Sequence, residues 1–117
     1  MNGAIAATLA ALLIASPVWA EDADSANYVM PGCRNYIGDQ PTNAMGAYCL
    51  GIVYGLTYGL NNMSPESYFC IPQGVRGAQG VRVVVAYIDA RPARMHEDFA
   101  KLAFEALINA WPCPKTR

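Results

Sequence analysis

The stretch from Met95 to Pro114, MHEDFAKLAFEALINAWPCP, decides how the rest of the chain is read. Met95, Phe99, Leu102, Ala106 and Ala110 recur at helical spacing. Phe104, Leu107, Ile108 and Trp111 widen that stripe, while Glu97, Asp98, Lys101, Glu105 and Asn109 gather opposite. The pattern predicts a helix from Met95 to Trp111, buried over most of its circumference. A residue before proline is pushed out of helical geometry, so Pro112 ends the helix at Trp111 and leaves Cys113 just beyond it. A cysteine there matters through a partner, and Cys70, ahead of the preceding helix, is the expected one.

That preceding helix spans Val75 to Ala90. Val81, Val83, Val84, Val85 and Ile88 are β-formers, yet strand alternation fails, because both sets of alternate positions are apolar apart from Arg82. Val81, Val84, Val85 and Ile88 instead give the i, i+3, i+4, i+7 signature of a helix. Arg91-Pro92 then breaks the chain, and Glu97 and Asp98 sit where the positive end of the last helix favours acids.

Upstream, Asn61 to Gly74 has no clear period and is rich in turn formers, and unstructured stretches of that length are uncommon without a task. A bridged Cys70 pins its far end and leaves Asn61 to Phe69 as a protruding, constrained segment. Asn61, Asn62, Ser64, Glu66, Ser67 and Tyr68 are the candidate partner-binding residues, with Tyr68 as anchor. The plainer alternative is a connector that covers one end of the core.

Ala44 to Leu60 reads as a helix with Cys49, Val53, Leu56 and Leu60 on one stripe and Ala47, Gly51, Gly55 and Gly59 on another. Each interior glycine costs a helix about 1 kcal/mol relative to alanine, so close approach of another backbone is the expected return. A neighbouring helix of the same chain is the first expectation, the same helix in a second copy the alternative. A membrane span is the third option, disfavoured by Tyr48, Tyr54, Tyr58 and the internal cysteine. Before it, Gly38 to Asn43 is a turn, and Asn27 to Ile37 reads as two short helical turns split at Pro31. Glu21 to Ser25 is an acidic lead-in expected to fray.

Met1 to Ala20 carries no charged side chain, has an apolar run from Ala4 to Ala15, and ends in small residues that suit cleavage after Ala20. Residues 1–20 therefore read as a secretory signal and 21–117 as one mature domain, periplasmic or secreted, with no membrane attachment after cleavage. The usual basic residue near the start is missing. With 8 basic and 9 acidic residues the net charge is −1, which gives no reason to expect a nucleic acid or anionic membrane surface as partner. Arg76, Arg82, Arg91 and Arg94 form a local basic run opposed only by Asp89, read as a solvated face or, alternatively, a binding patch.

Cys33, Cys49, Cys70 and Cys113, separated by 16, 21 and 43 residues, are an even set in an exported chain, so two disulfides are the natural reading. There is no CxxC, and one histidine, His96, makes a poor zinc site. Three pairings exist, and the order of neighbouring antiparallel helices favours Cys33 with Cys49 and Cys70 with Cys113. On the chain-entropy model such loops contribute roughly 3 and 4 kcal/mol, comparable with the whole stability of a small domain. Catalysis has little support: His96, Glu97 and Asp98 are adjacent on one helix and point about 100° apart, no nucleophile motif or phosphate loop is present, and nothing calls for a cofactor or metal.

The phrases Met30-Pro31-Gly32-Cys33-Arg34, Tyr48-Cys49-Leu50-Gly51-Ile52, Cys70-Ile71-Pro72-Gln73-Gly74-Val75 and Ala106-Leu107-Ile108-Asn109-Ala110-Trp111-Pro112-Cys113 together resemble the Rap/Tai family. Val84-Val85-Ala86-Tyr87-Ile88 with Arg91-Pro92 belongs to the same set, and the resemblance spans essentially the whole mature chain. It implies an all-α disulfide-linked bundle of about four helices, a periplasmic address and a protein partner, often with homodimerisation. The family is typified by immunity proteins against type VI secretion amidase effectors. One departure is Arg76, where such proteins often carry threonine or serine as a helix cap, so the next helix is expected to lean on Gly74. The leading expectation is a periplasmic immunity protein that blocks the cleft of a secreted cell-wall amidase. A small cell-envelope protein with a chaperone-like or structural role and no dedicated toxin is the competing one.

Overall fold

The first two helices meet backbone to backbone, and the rest packs on that pair. The computed structural model describes residues 22–63 and 68–114. Among them the order is α1 (Ala26–Ile37), α2 (Ala44–Met63), α3 (Gly77–Asp89), a 3-10 turn at Pro92–Arg94, and α4 (Phe99–Ala110). Neither the signal-like segment 1–20 nor residues 64–67 and 115–117 fall within that description. The all-α expectation holds.

Gly32 of α1 lies against the start of α2 so closely that a β-carbon there would overlap the Met45 carbonyl. Gly46 is close in return, its would-be β-carbon 2.6 Å from Asn35 Oδ1 and 3.3 Å from the Gly32 carbonyl oxygen. The two helices can touch this way only where side chains are absent. Cys33, one residue beyond Gly32, and Cys49, three beyond Gly46, close a fully buried disulfide with Cα atoms 5.2 Å apart. The intervening turn is held by Asn35, whose Oδ1 accepts from the Asn43 amide at 2.9 Å, and by Asn43, whose Oδ1 accepts from the Gly46 amide at 2.9 Å.

That packing accounts for a departure from the sequence reading. Pro31 does not split the first helical segment: α1 runs unbroken from Ala26 to Ile37 with the proline inside. The hydrogen bond lost at its nitrogen is outweighed by Val29, Met30 and Cys33, all buried, and by the disulfide that fixes the helix on both sides of the ring. Nor does the lead-in from Asp22 fray. Ser25 is buried and caps α1, accepting from the Tyr28 amide at 3.3 Å. Backbone pairs tie it to the far end of the chain, with Phe99 N–H on the Asp24 carbonyl at 2.7 Å and Ala26 N–H on the Glu97 carbonyl at 2.9 Å.

The same pairs shorten the last helix. Met95 to Asp98 is turn rather than helix, because the carbonyls of Met95 and Glu97 are taken by the amides of Asn27 and Ala26. α4 starts at Phe99, capped by the Asp98 carboxylate, which accepts from the Lys101 amide at 2.8 Å. Its end is where the proline placed it, at Ala110 with Trp111 as cap residue. α3 is a helix as its spacing required, with Val81, Val84, Val85 and Ile88 all buried between α1, α2 and α4. The core is continuous from Val29 and Met30 through Val53 to Leu102 and Leu107. α2 continues through Asn61 and Asn62 to Met63, past the expected end at Leu60. No helix among the described residues is long and apolar enough to cross a membrane.

The glycine stripe of α2 is the clearest correction. A β-carbon at Gly51, Gly55 or Gly59 would meet nothing within 4 Å, and Ala47 beside them is exposed, so no neighbouring helix of the same chain is their reason. Alanine at Gly55 is therefore expected to raise the stability of the dilute monomer by up to about 1 kcal/mol, through helix propensity alone. Gly32→Ala is expected to lower it by about 1–3 kcal/mol through overpacking. Urea unfolding of both variants checks this, and a comparable loss at Gly55 would reveal a neighbour that one chain does not supply.

Candidate functional site

The segment after α2 is anchored on α4 by covalent, aromatic and backbone contacts. Phe69 is fully buried and meets Phe104 edge-on at 6.1 Å between centroids. Tyr68, one residue earlier, stands on the same ring at 5.5 Å yet remains 52% exposed. The Cys70 amide donates to the Trp111 carbonyl at 2.8 Å, and Cys70 and Cys113 are disulfide-bonded with Cα atoms 4.8 Å apart. Both expected cysteine pairs are thus present. At the other end of the segment Asn61 and Asn62 belong to the last turn of α2, where Asn62 Nδ2 donates to the Tyr58 carbonyl at 2.8 Å. Of the six partner-binding candidates the structure therefore places Asn61, Asn62 and Tyr68; Ser64, Glu66 and Ser67 lie outside the described residues.

A second surface runs along α2. Tyr48, Tyr54 and Tyr58 are exposed beside Gly51 and Gly55, and the rings of Tyr54 and Tyr58 stack at 6.0 Å. The whole helix, Ala44 to Met63, contains no charged residue. Where this face turns towards α3 and the end of α4, a groove of about 100 Å³ is lined by Val53, Tyr54, Thr57, Ile71, Val75, Arg76, Gly77, Gly80 and Trp111. Sequence reasoning missed the groove, since its walls come from three separate stretches, 53–57, 71–80 and Trp111. The one available signal was Arg76 standing where a capping hydroxyl was expected. Arg76 is the residue before α3 and makes no side-chain capping bond, while Gly74, with φ of 93°, turns the chain into the helix.

A larger, open cleft of about 490 Å³ lies at the start of α1, lined by Asp22, Ser25, Asn27, Tyr28 and His96. His96 is exposed on a turn, and the hydroxyl nearest it in kind, that of Ser25, already caps α1. Size alone does not make this cleft the site, because among the described residues lining it none pairs a base with a nucleophile.

The family model for Rap1a immunity proteins matches residues 25–113, from the cap of α1 to the last cysteine. The chain belongs to the Rap1a immunity protein family. Comparison with curated proteins and with solved structures gives no match. Membership implies a protein effector as partner, so exposed surfaces of this Rap1a chain are read as protein-binding surfaces. Its two disulfides are compatible with an exported protein.

The basic run is largely spoken for. Arg94 grips two carboxylates at once, Glu97 through Nε and Nη2 at 2.7 and 2.8 Å and Glu105 through Nη1 and Nη2 at 2.7 and 3.0 Å. Lys101 adds a contact to Glu97 at 3.2 Å, and the Tyr87 hydroxyl donates to Glu105 at 3.1 Å. The Arg91 guanidinium lies 3.6 Å over the Tyr87 ring and donates to the Tyr87 carbonyl, while Arg34 pairs with Asp89. Fork-shaped pairing of this kind clasps the turn before α4 to the body of α4 and to α3.

Hydrogen bonding from Arg94, then from Lys101, holds the Glu97 carboxyl down at about 2, against an ordinary value of 4.5. Glu105 is lowered by the same arginine, with Tyr87 adding to it, and Arg94 is raised in turn. A carboxylate depressed on folding stabilises the folded state above its unfolded value and loses that contribution as it is protonated. The clasp should therefore weaken as pH falls from about 4.5 towards about 2. Arg94→Met is expected to flatten this acid dependence, and melting temperatures measured across that range in low salt check it; an unchanged slope would show that the clasp contributes nothing there.

Proposed function

We propose that this chain is a periplasmic immunity protein that neutralises a secreted cell-wall amidase by filling its catalytic cleft with the segment between α2 and Phe69. The observation that carries the reading is the half-exposed Tyr68 ring, set on Phe104 and followed immediately by the Cys70–Cys113 tether. An inhibitor gains affinity when its contact residues are ordered before binding, because the ordering cost is met on folding. Aromatic anchors that enter a concave site carry most of the energy in such contacts. Asn61, Asn62, Ser64, Glu66 and Ser67 would then flank the anchor as its polar surround.

The test is direct. With a secreted amidase encoded beside this gene, the oxidised protein is expected to bind tightly and to protect cells in which the amidase is sent to the periplasm. Tyr68→Ala should weaken binding by about 2 kcal/mol, with Glu66→Lys also costing affinity, both read by calorimetry. Affinity that ignores both substitutions rejects the segment as the contact. An isolated gene, with no amidase bound, favours the competing envelope role.

The bare stripe on α2 favours a homodimer as an additional feature. Gly51, Gly55 and Gly59 meet nothing in their own chain, yet they are flanked by exposed tyrosines that bury area while keeping a hydroxyl for hydrogen bonds. A second α2 crossing there would explain why helix-weakening residues are kept. Light scattering is expected to show a dimer that Gly55→Glu converts to monomer; a wild-type chain that stays monomeric at high concentration removes this reading.

A further inference from the structure

The groove between α2, the approach to α3 and the end of α4 has a chemistry of its own. Its floor is Val53 and Gly80, both buried, and its walls include Ile71, Val75 and Trp111, partly exposed and apolar. Among the described residues lining it, Arg76 is the single charged one. Unlike those of Arg34, Arg91 and Arg94, its guanidinium has no ion pair or hydrogen bond among the described residues, and it is exposed at the mouth; its carbonyl accepts from the Gly80 amide at 3.1 Å. No acidic residue stands in the first turn of α3 to offset it. At about 100 Å³ the groove is well below the roughly 300–1,000 Å³ of small-molecule sites and has the scale of one side chain.

We propose that this groove is a second docking point for the protein effector, and that it takes an aliphatic side chain whose neighbour in the partner carries a carboxylate. The inference rests on the chain being an effector-binding protein, but not on the segment after α2 being the contact. An apolar side chain placed on Val53 and Gly80 is removed from water, and a carboxylate next to it reaches Arg76 at the rim, where no acid among the described residues competes. Tyr54 forms part of the same rim and stacks on Tyr58, so the groove opens onto an aromatic shelf that covers the partner backbone on either side. Trp111 is positioned in advance, its carbonyl held by the Cys70 amide two residues before the disulfide at Cys113. The groove is therefore formed before anything enters it.

Two measurements test this separately from the amidase reading. In the first, the oxidised protein is titrated to millimolar concentration with N-acetylated, C-amidated Gly-Leu-Asp-Gly, and the Gly77 and Gly80 amides and Trp111 indole are followed by NMR. Saturable shifts confined to the groove are expected, about tenfold weaker when the peptide aspartate is replaced by asparagine, as suits loss of a charge-assisted contact, and lost when its leucine is replaced by glycine. Absent shifts, shifts scattered over the surface, or equal response to all three peptides overturn the proposal. In the second, Arg76→Glu and Thr57→Trp, which reverse the rim charge and block the mouth, are compared with wild type for binding to the neighbouring amidase. A loss of at least about tenfold supports the groove, and unchanged affinity overturns it. Should no amidase bind wild type while the peptide still saturates the groove, the amidase partner is rejected and the groove stands as a peptide site.

Discussion

The fold is built on the contact of two backbones at Gly32 and Gly46, sealed within one turn of helix by the Cys33–Cys49 disulfide. With α1 and α2 fixed at that distance, α3 has a trough to fill, and Val81, Val84, Val85 and Ile88 fill it. α4 then covers what α3 leaves open, and the amides at the start of α1 reach across to the turn before α4. A small domain has little apolar surface to bury, so the close approach and the covalent links matter more here than they would in a larger protein. The proline inside α1 illustrates the order of strengths: a local helix-breaking preference gives way to tertiary packing that needs the helix to continue.

How much of this could be read from the residues depends on how local the cause is. The helicity of α3 was legible because four apolar positions in one short stretch tell helix from strand. The stop at Trp111 was legible because proline acts on its immediate neighbour. The cysteine pairs were legible because helix order left one natural arrangement. What was not legible had its cause far away in the chain. Asp24 and Ala26 engage Phe99 and Glu97 through backbone atoms, which carry no sequence signal, so the lead-in was expected to fray and α4 to begin a turn early.

The glycines teach the same lesson in another form. Gly51, Gly55 and Gly59 repeat at a spacing that draws the eye, and they face open space. The glycines that permit helix contact inside the chain, Gly32 and Gly46, form no stripe, because each serves one crossing point on a different helix. Periodicity therefore located a face that is bare, and the bare face lies next to the exposed tyrosines and the groove at Arg76. The candidate segment was found in the sequence through its turn formers and its cysteine. The groove was not, since Val53, Ile71, Gly80 and Trp111 share no local pattern.

The tether between Cys70 and Cys113 has a consequence for how the molecule is made. Cys70 lies in the middle of the chain and its partner follows the last helix, so the bridge cannot close until the last helix has left the ribosome and the chain stands where thiols are oxidised. Until then Tyr68 is attached only through its own stretch of chain, and Trp111 has no covalent hold on the region before α3. A copy truncated ahead of Cys113, or one retained where thiols stay reduced, would lack the fixed geometry of both surfaces. Completion of synthesis and an oxidising setting are thus checked by one sulfur–sulfur bond.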